Sequence, residues 1–389
     1  MLIRILTYFI PFAVNFLNGG FFFITSYRFA QAGASGVTVG GSIAMWGIAY
    51  CIFAVLTGRI AKVSNALPMI LAGGGLLAGA AVGLAYCGLY MQYFWMAVSG
   101  LGAAFFCTPF QLFAKAISAG EKSSGAVEAA AFYTLTWSLG FATGPLAFAR
   151  LSSRTGCWIC FAFALAVIAG VCVIAVSLKK NPPANMVQKE EQRTDAPVSE
   201  KFAMLARLGW IVGGLGTIAV SQMRGMWPKL GDELVLSQSN IACVLALVSY
   251  TQGFTGLALC RSKTWMFRRL PAVGMALLAA VSLLTFAFGR ELWCFYAAAL
   301  GYGVYCGCMY FYLVYHSLAH PTRSNFYVAG NETVVGITNM LAPLIGGVLV
   351  DYFHTASAAF VFAALITAAA LGCQLLVYRS VEKLDAETR

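Results

Sequence analysis

The chain has 389 residues, of which 60% are hydrophobic and only 10% charged, with a mean hydropathy of +0.79. A soluble domain carries about 25% charged residues to keep its surface wetted, so this composition excludes a soluble globular protein and leaves lipid as the solvent. The net charge of +11 would suit a nucleic-acid binder, but the basic residues lie between apolar runs and read as a topology signal instead.

Structures that span lipid are helices or closed barrels. The apolar runs are about 20 residues long, twice what a barrel strand needs, so the chain is expected to be an all-α polytopic membrane protein. The runs fall at about 5–27, 37–57, 67–86, 91–113, 126–148 and 157–178, and again at about 208–226, 241–260, 270–288, 291–315, 328–350 and 356–378. The polar break between the two sets, KKNPPANMVQKEEQRTDAPVSEKFAMLAR, is charged and proline-bearing. The expected organisation is therefore a six-helix bundle over 1–178, a linker over 179–207, a second six-helix bundle over 208–378 and a tail over 379–389.

With the N-terminus inside, Arg4, Arg59, Lys62, Lys115, Lys122, Lys179, Lys180, Arg207, Arg261, Arg268, Arg269, Arg323 and Arg379 all fall on the inner side. The outer side keeps Arg28, Arg150, Arg154, Lys229 and Arg290. The positive-inside rule then puts both termini and the central loop in the cytoplasm. Ala30-Gln31-Ala32 mimics a signal-peptide cleavage site, but the preceding run is too long for a signal core and carries Asn15 and Asn18, so it is expected to stay as the first span.

In chain order, the first run aligns Asn15, Asn18, Phe22 and Thr25 on one stripe. That stripe fits either interhelical hydrogen bonding or the polar wall of a solute path. Gly75, Gly79 and Gly83 in the third run form a small-residue ridge suited to close helix packing. The fourth run carries Pro109 and Gln111, a bend with a polar group beside it. The fifth holds Glu128 near its start and Gly140-x-x-x-Gly144-Pro145 near its end. Cys157-Trp158-Ile159-Cys160 has redox spacing without the strand-turn-helix setting of a redox site. Whether the two cysteines pair stays open.

In the seventh run, Thr217, Ser221, Gln222 and Arg224 precede Trp227-Pro228. Arg224 sits about one turn from the expected outer end, where snorkelling to the interface is the simpler reading; the alternative is that it faces a cavity and attracts an anionic group. Ser249, Gln252 and Gly256 share a stripe in the eighth run. In the tenth, Tyr302, Tyr305, Met309, Tyr312 and His316 share another, expected to face protein or water because polar tips in lipid are costly. His316 and His320 share a helix face with no carboxylate or thiol near in sequence, so no metal site is expected. Glu332 opens the eleventh run with Asn339 on its face, and a carboxylate there is favoured by the helix dipole.

Twelve spans halved by a charged loop, with Gly140-x-x-x-Gly144-Pro145 in the fifth, resemble the major facilitator superfamily. Gly58-Arg59-Ile60-Ala61 between the second and third spans resembles its inner-loop signature G-x-L-A-D-R-x-G-R, although Lys62 stands at the signature's Asp and Asn65 at its second Gly. Tyr50 and Tyr250, Pro68 and Pro271, Glu128 and Glu332, and Pro145 and Pro343 recur roughly 200 residues apart, as two repeats of one design would place them. The resemblance implies that spans one, four, seven and ten line a central cavity. It promotes Asn15, Asn18, Gln111, Gln222 and the Tyr302, Tyr305, Tyr312 stripe to solute-binding candidates, beside Gln252 and Asn339. It also implies a charge pair between the inner loop after span two and the start of span eleven, here swapped as Lys62 with Glu332, and a symmetry-related pair of Glu128 with Arg261 or Lys263. Arg224 completes the gating and coupling candidates.

No phosphate-cradling G-x-x-x-x-G-K-[ST] loop is present, so nucleotide hydrolysis is excluded and no cofactor is expected. The resulting expectation is a monomeric secondary transporter, not an enzyme. It would carry a small organic solute across the cytoplasmic (inner) membrane by alternating access, with the lipid bilayer and no nucleic acid as partner. Proton coupling and facilitated diffusion both stay open. The rival readings are a non-transporting sensor on the same scaffold and a lipid-modifying membrane enzyme.

Overall fold

The computed structural model describes residues 2–118, 125–180, 200–259, 261, 265, 268–318 and 324–387. Side chains are described at all of these except 2, 4, 115–118, 125–130, 180, 200–208, 316–318, 324–326, 381 and 383–387.

Among the described residues, twelve long helices follow the apolar runs. They are α1 (Leu2–Gln31), α2 (Gly36–Ile60), α3 (Ala66–Tyr86), α4 (Gln92–Ser118), α5 (Gly125–Phe148) and α6 (Ser153–Lys180), then α7 (Glu200–Glu233), α8 (Gln238–Leu259), α9 (Arg269–Phe288), α10 (Leu292–Leu318), α11 (Ser324–Phe353) and α12 (Ser357–Glu387). Among the described residues, ten helices are long and apolar enough to cross a membrane. α5 and α7 are not among them, because they carry Thr134, Thr136, Ser138 and Thr143, and Thr217, Ser221, Gln222 and Arg224. Exposed apolar side chains such as Ile52, Leu56, Leu277, Val281 and Leu365 cover the outer face, as contact with lipid requires.

Several helices outrun their apolar segments. α7 starts at Glu200 rather than 208 and continues through Pro228 to Glu233, and α12 runs on through the expected tail to Glu387. Charged residues end the hydropathy signal without ending the hydrogen-bond ladder, and proline is tolerated in membrane helices where neighbours satisfy the freed groups. α1 and α7 stop alike. At α1 the Ala34 N–H donates to the Phe29 carbonyl and the Gly33 N–H to that of Ala30, with Gly33 at φ 68°; at α7 the Leu236 N–H donates to Gly231 and the Val235 N–H to Asp232, with Val235 at φ 55°. Both are Schellman stops, and the second strains a β-branched residue.

The packing order repeats. α1 packs on α5 and α6, α2 on α4 and α3 on α4 and α6; α7 packs on α11 and α12, α8 on α10 and α9 on α10 and α12. The two sets meet chiefly through α2 against α11 and α5 against α8. Glycine permits the first contact. A Cβ on Gly40 would lie 2.1 Å from the Pro343 carbonyl oxygen, and one on Gly47 would lie 2.4 Å from the Met340 nitrogen. The Gly140 and Gly144 pair packs as expected, each against the α1 backbone at Phe12 and Phe16. Of the expected ridge on α3 only Gly83 packs, against the Trp95 ring; Gly75 and Gly79 meet nothing within 4 Å, whereas Gly73 and Gly74 pack against Gly102 and Ile168. Spacing alone did not choose the buried face. The eleven described cysteines, Cys157 and Cys160 among them, are free thiols.

On the side away from the termini, polar contacts tie the two sets of helices together. The Gly36 and Val37 N–H groups donate to the Asp351 carboxylate, the second at 3.0 Å. Gln31 donates to Asp232 at 3.3 Å, and Gln238 to the Phe148 carbonyl at 2.8 Å. Asp351→Ala is expected to leave the first turn of α2 without its acceptor and to raise hydrogen exchange at Gly36 and Val37 by about tenfold, read by mass spectrometry.

Candidate functional site

A cavity lies between the two sets of helices, with about 50 Å³ open to the centre of a water-sized sphere. This is room for a few waters, and a smaller cavity adjoins it at Phe22, Phe141 and Arg224. α1 presents Asn15, Asn18 and Phe22 on one stripe, as the sequence indicates; Thr25 is buried but does not line the cavity.

Glu332 is the cavity's carboxylate and is 6% exposed. Tyr50 O–H from α2 and Gln111 Nε2 from α4 donate to it, and the neighbouring Asn331 Nδ2 donates at 3.3 Å. Gln111 itself lies behind the cavity and also donates to the Tyr133 hydroxyl at 3.4 Å. Glu332 stands two turns inside α11 rather than at its opening, so its setting comes from these side chains and not from free amides at the helix start. The expected Lys62–Glu332 pair is absent: Lys62 is exposed, twelve residues past Tyr50, and so roughly 18 Å from it along the helix direction. Of the companion pair, the Arg261 side chain is exposed, while the side chains of Glu128 and Lys263 lie outside those described, as do those of His316 and His320.

Arg224 is the cavity's cation, and it does not snorkel. α7 runs nine residues beyond it, so it sits roughly 13 Å inside the helix end and is 5% exposed. Its guanidinium lies 4.1 Å from the Phe141 ring centroid and 5.2 Å from that of Trp137. It donates to the Tyr310 hydroxyl at 3.3 Å and to Gln252 Oε1 at 3.5 Å, and Gln252 is oriented by donating from Nε2 to Ser138 at 2.8 Å. Gln252 therefore reaches the site through Arg224.

The tyrosine stripe is corrected by about two-fifths of a turn. Tyr310 and Val314 face the cavity, while Tyr305 and Met309 lie against Gly216 of α7, and Tyr302 stacks on Tyr305 with centroids 6.1 Å apart. Tyr312 is buried away from the cavity. Gln222 also turns away, donating to the Ala359 carbonyl of α12 at 2.8 Å, whereas Asn339 does line the cavity. Apart from Phe22, sequence reasoning missed the aromatic walls. Trp46 stacks on Tyr50 with centroids 4.4 Å apart, Phe22 meets Trp46 edge-on at 5.1 Å, and Trp137 stacks on Phe141 at 5.2 Å. The four-residue spacing of Trp46 and Tyr50, with Tyr50 recurring as Tyr250, was the available signal.

Several buried polar atoms around this cavity have no protein partner: Asn18 Oδ1, Trp46 Nε1, Thr134 Oγ1, Arg224 Nε and Asn339 Oδ1. Buried polar groups are ordinarily bonded, so the walls are built to meet solvent or solute. Tyr50→Phe, which removes one donor from the Glu332 carboxylate, is expected to lower unfolding stability by about 2 kcal/mol, read as a fall in the thermal midpoint in detergent.

Among the described residues, twelve helices in two sets, ten of them long and apolar enough to cross a membrane, enclose a polar, aromatic-walled cavity, the architecture of a polytopic membrane protein with a central site. The chain belongs to the Major Facilitator Superfamily, whose sequence profile matches residues 6–325. Among solved structures it is similar to the human organic anion transporter MFSD10 (TETRAN), at 13% identity and a TM-score of 0.67, covering 95% of this chain and 98% of that one. It is likewise similar to the nucleoside transporter NupG, at 13% identity and a TM-score of 0.67, covering 97% and 99%. No curated protein is close enough in sequence to count as a relative. The protein is thus a multi-pass membrane protein of the secondary-transporter, alternating-access class.

Proposed function

We propose that the protein carries a small organic solute through the cavity between α1–α6 and α7–α12, with proton coupling at Glu332. The two halves, 1–178 and 208–378, would rock about the cavity, with 179–207 as the cytoplasmic connection, both termini cytoplasmic and one chain sufficient. The observation that carries this reading is the Glu332 carboxylate, donated to by Tyr50 and Gln111 across the boundary between the halves. A charge bonded across a moving boundary ties that movement to its own protonation, because an unpaired buried carboxylate is costly. Asn15, Asn18, Asn339 and Arg224 supply the polar solute contacts in this reading, with Trp46, Trp137 and Tyr310 as the walls.

The test is internal pH and solute content, measured together in proteoliposomes while pooled solutes are added outside. Solute accumulation with a matching pH change supports the proposal. Solute movement without a pH change reduces it to facilitated diffusion, and no solute movement across a broad panel removes transport.

A further inference from the structure

Resting on that transport reading, we propose that the solute is a small organic anion with an apolar ring, its carboxylate held by Arg224.

The argument begins with charge. A guanidinium that is 5% exposed costs several kcal/mol to desolvate unless an anion or a full set of acceptors compensates it. Arg224 has neither. Its acceptors are a tyrosine hydroxyl at 3.3 Å and an amide oxygen at 3.5 Å, both long, and the rest of its surroundings are ring faces. The cavity's carboxylate, Glu332, is occupied by Tyr50, Gln111 and Asn331. Among the described residues, no ion pair joins Arg224 to any carboxylate.

Geometry then sets the mode. Arg224 lines both adjoining cavities and its Nε has no partner. A carboxylate meets arginine best through two parallel N–H donors, and Nε with its neighbouring terminal nitrogen offers that pair. The Tyr310 hydroxyl accepts from Arg224, which leaves its own proton free to donate to a second anion oxygen. Gln252 is fixed by Ser138 and holds the guanidinium in place. Beyond the cation, Trp46 and Phe22 present ring surface to an apolar body. A cationic solute would face Arg224 unshielded, and a neutral one would leave its charge uncompensated.

The test uses matched probes that differ only in the charged group: benzoate, benzamide and benzylamine, and phenylacetate with its amide. Binding to the purified protein is read by quenching of tryptophan fluorescence, since Trp46 and Trp137 line the cavity, and by thermal stabilisation. The carboxylates are expected to bind saturably and at least about tenfold more tightly than their amides and amines. Arg224→Gln should abolish that preference, and Arg224→Lys should keep the sign of it with weaker affinity. The comparison within the wild type needs no variant, so a variant that fails to fold leaves the test intact. Equal binding of acid and amide, preference for the amine, or no carboxylate response overturns the proposal. Carboxylate binding with no flux in proteoliposomes would sink the transport reading and keep the anion site. Flux of a neutral or cationic solute that Arg224→Gln leaves unchanged would do the reverse.

Discussion

Gly40→Ala is expected to drive α2 and α11 apart and to open the side of the molecule away from the termini. The added Cβ would lie 2.1 Å from the Pro343 carbonyl oxygen and 2.6 Å from its carbon. Both are backbone atoms, which cannot rotate aside as a side chain would. The neighbouring contacts also run backbone to backbone, at Gly36 with Gly347 about one turn before it and at Gly47 with Met340 about two turns after it, so the seam offers little slack on either side. Overpacking of this kind costs about 1–3 kcal/mol, enough to shift a two-state equilibrium by about fivefold to a hundredfold. Spin labels at Ala32 and His354, both exposed in loops on that side, should report a longer distance. Gly75→Ala is the matched control, since its Cβ would meet nothing within 4 Å. An unchanged distance in Gly40→Ala would mean that the α2–α11 seam does not hold this side closed.

How far the sequence reveals this molecule depends on which physical effect sets each feature. The twelve helices are legible because lipid forces long apolar runs, and the repeat of Pro145 and Pro343 marks equivalent helices. The ends are less legible: Lys229 reads as the far side of a span, yet α7 runs past it to Glu233. That seven-residue difference moved Arg224 from the interface into the core and changed its meaning. Asn15, Asn18 and Asn339 were legible as cavity residues because an amide in a membrane helix stands out against apolar neighbours. The tyrosines of α10 were not. Tyr302, Tyr305, Tyr310, Tyr312 and Tyr315 spread around the helix, so polarity could not select the facing stripe, and only the tertiary packing turns Tyr310 to the cavity. The charge pair at Lys62 failed for another reason: the loop signature pointed to the membrane surface, while the carboxylate it was matched to lies two turns inside α11.

Glu332→Gln is expected to uncouple proton movement from solute movement while leaving the fold in place. Glutamine keeps the size of glutamate and retains an oxygen for Tyr50 or Gln111, so the packing of α11 against α2 and α4 should survive, with a thermal midpoint near that of the wild type. The charge does not survive. In the wild type the carboxylate's bonds to Tyr50 and Gln111 cross between α1–α6 and α7–α12, and any rocking that separates these groups strips the carboxylate of its donors. Breaking such a buried arrangement costs about 3 kcal/mol or more, a factor of more than about one hundred, unless a proton first neutralises the acid. Proton loading and reopening are therefore linked in the wild type, and the variant behaves as permanently neutral at this position. Uptake driven by an imposed pH gradient should fall by about a hundredfold, whereas exchange of labelled for unlabelled solute, which needs no net proton movement, should stay within a few-fold. Loss of both activities in a folded variant would make Glu332 a solute contact instead, and retention of both would place the coupling group elsewhere in the chain.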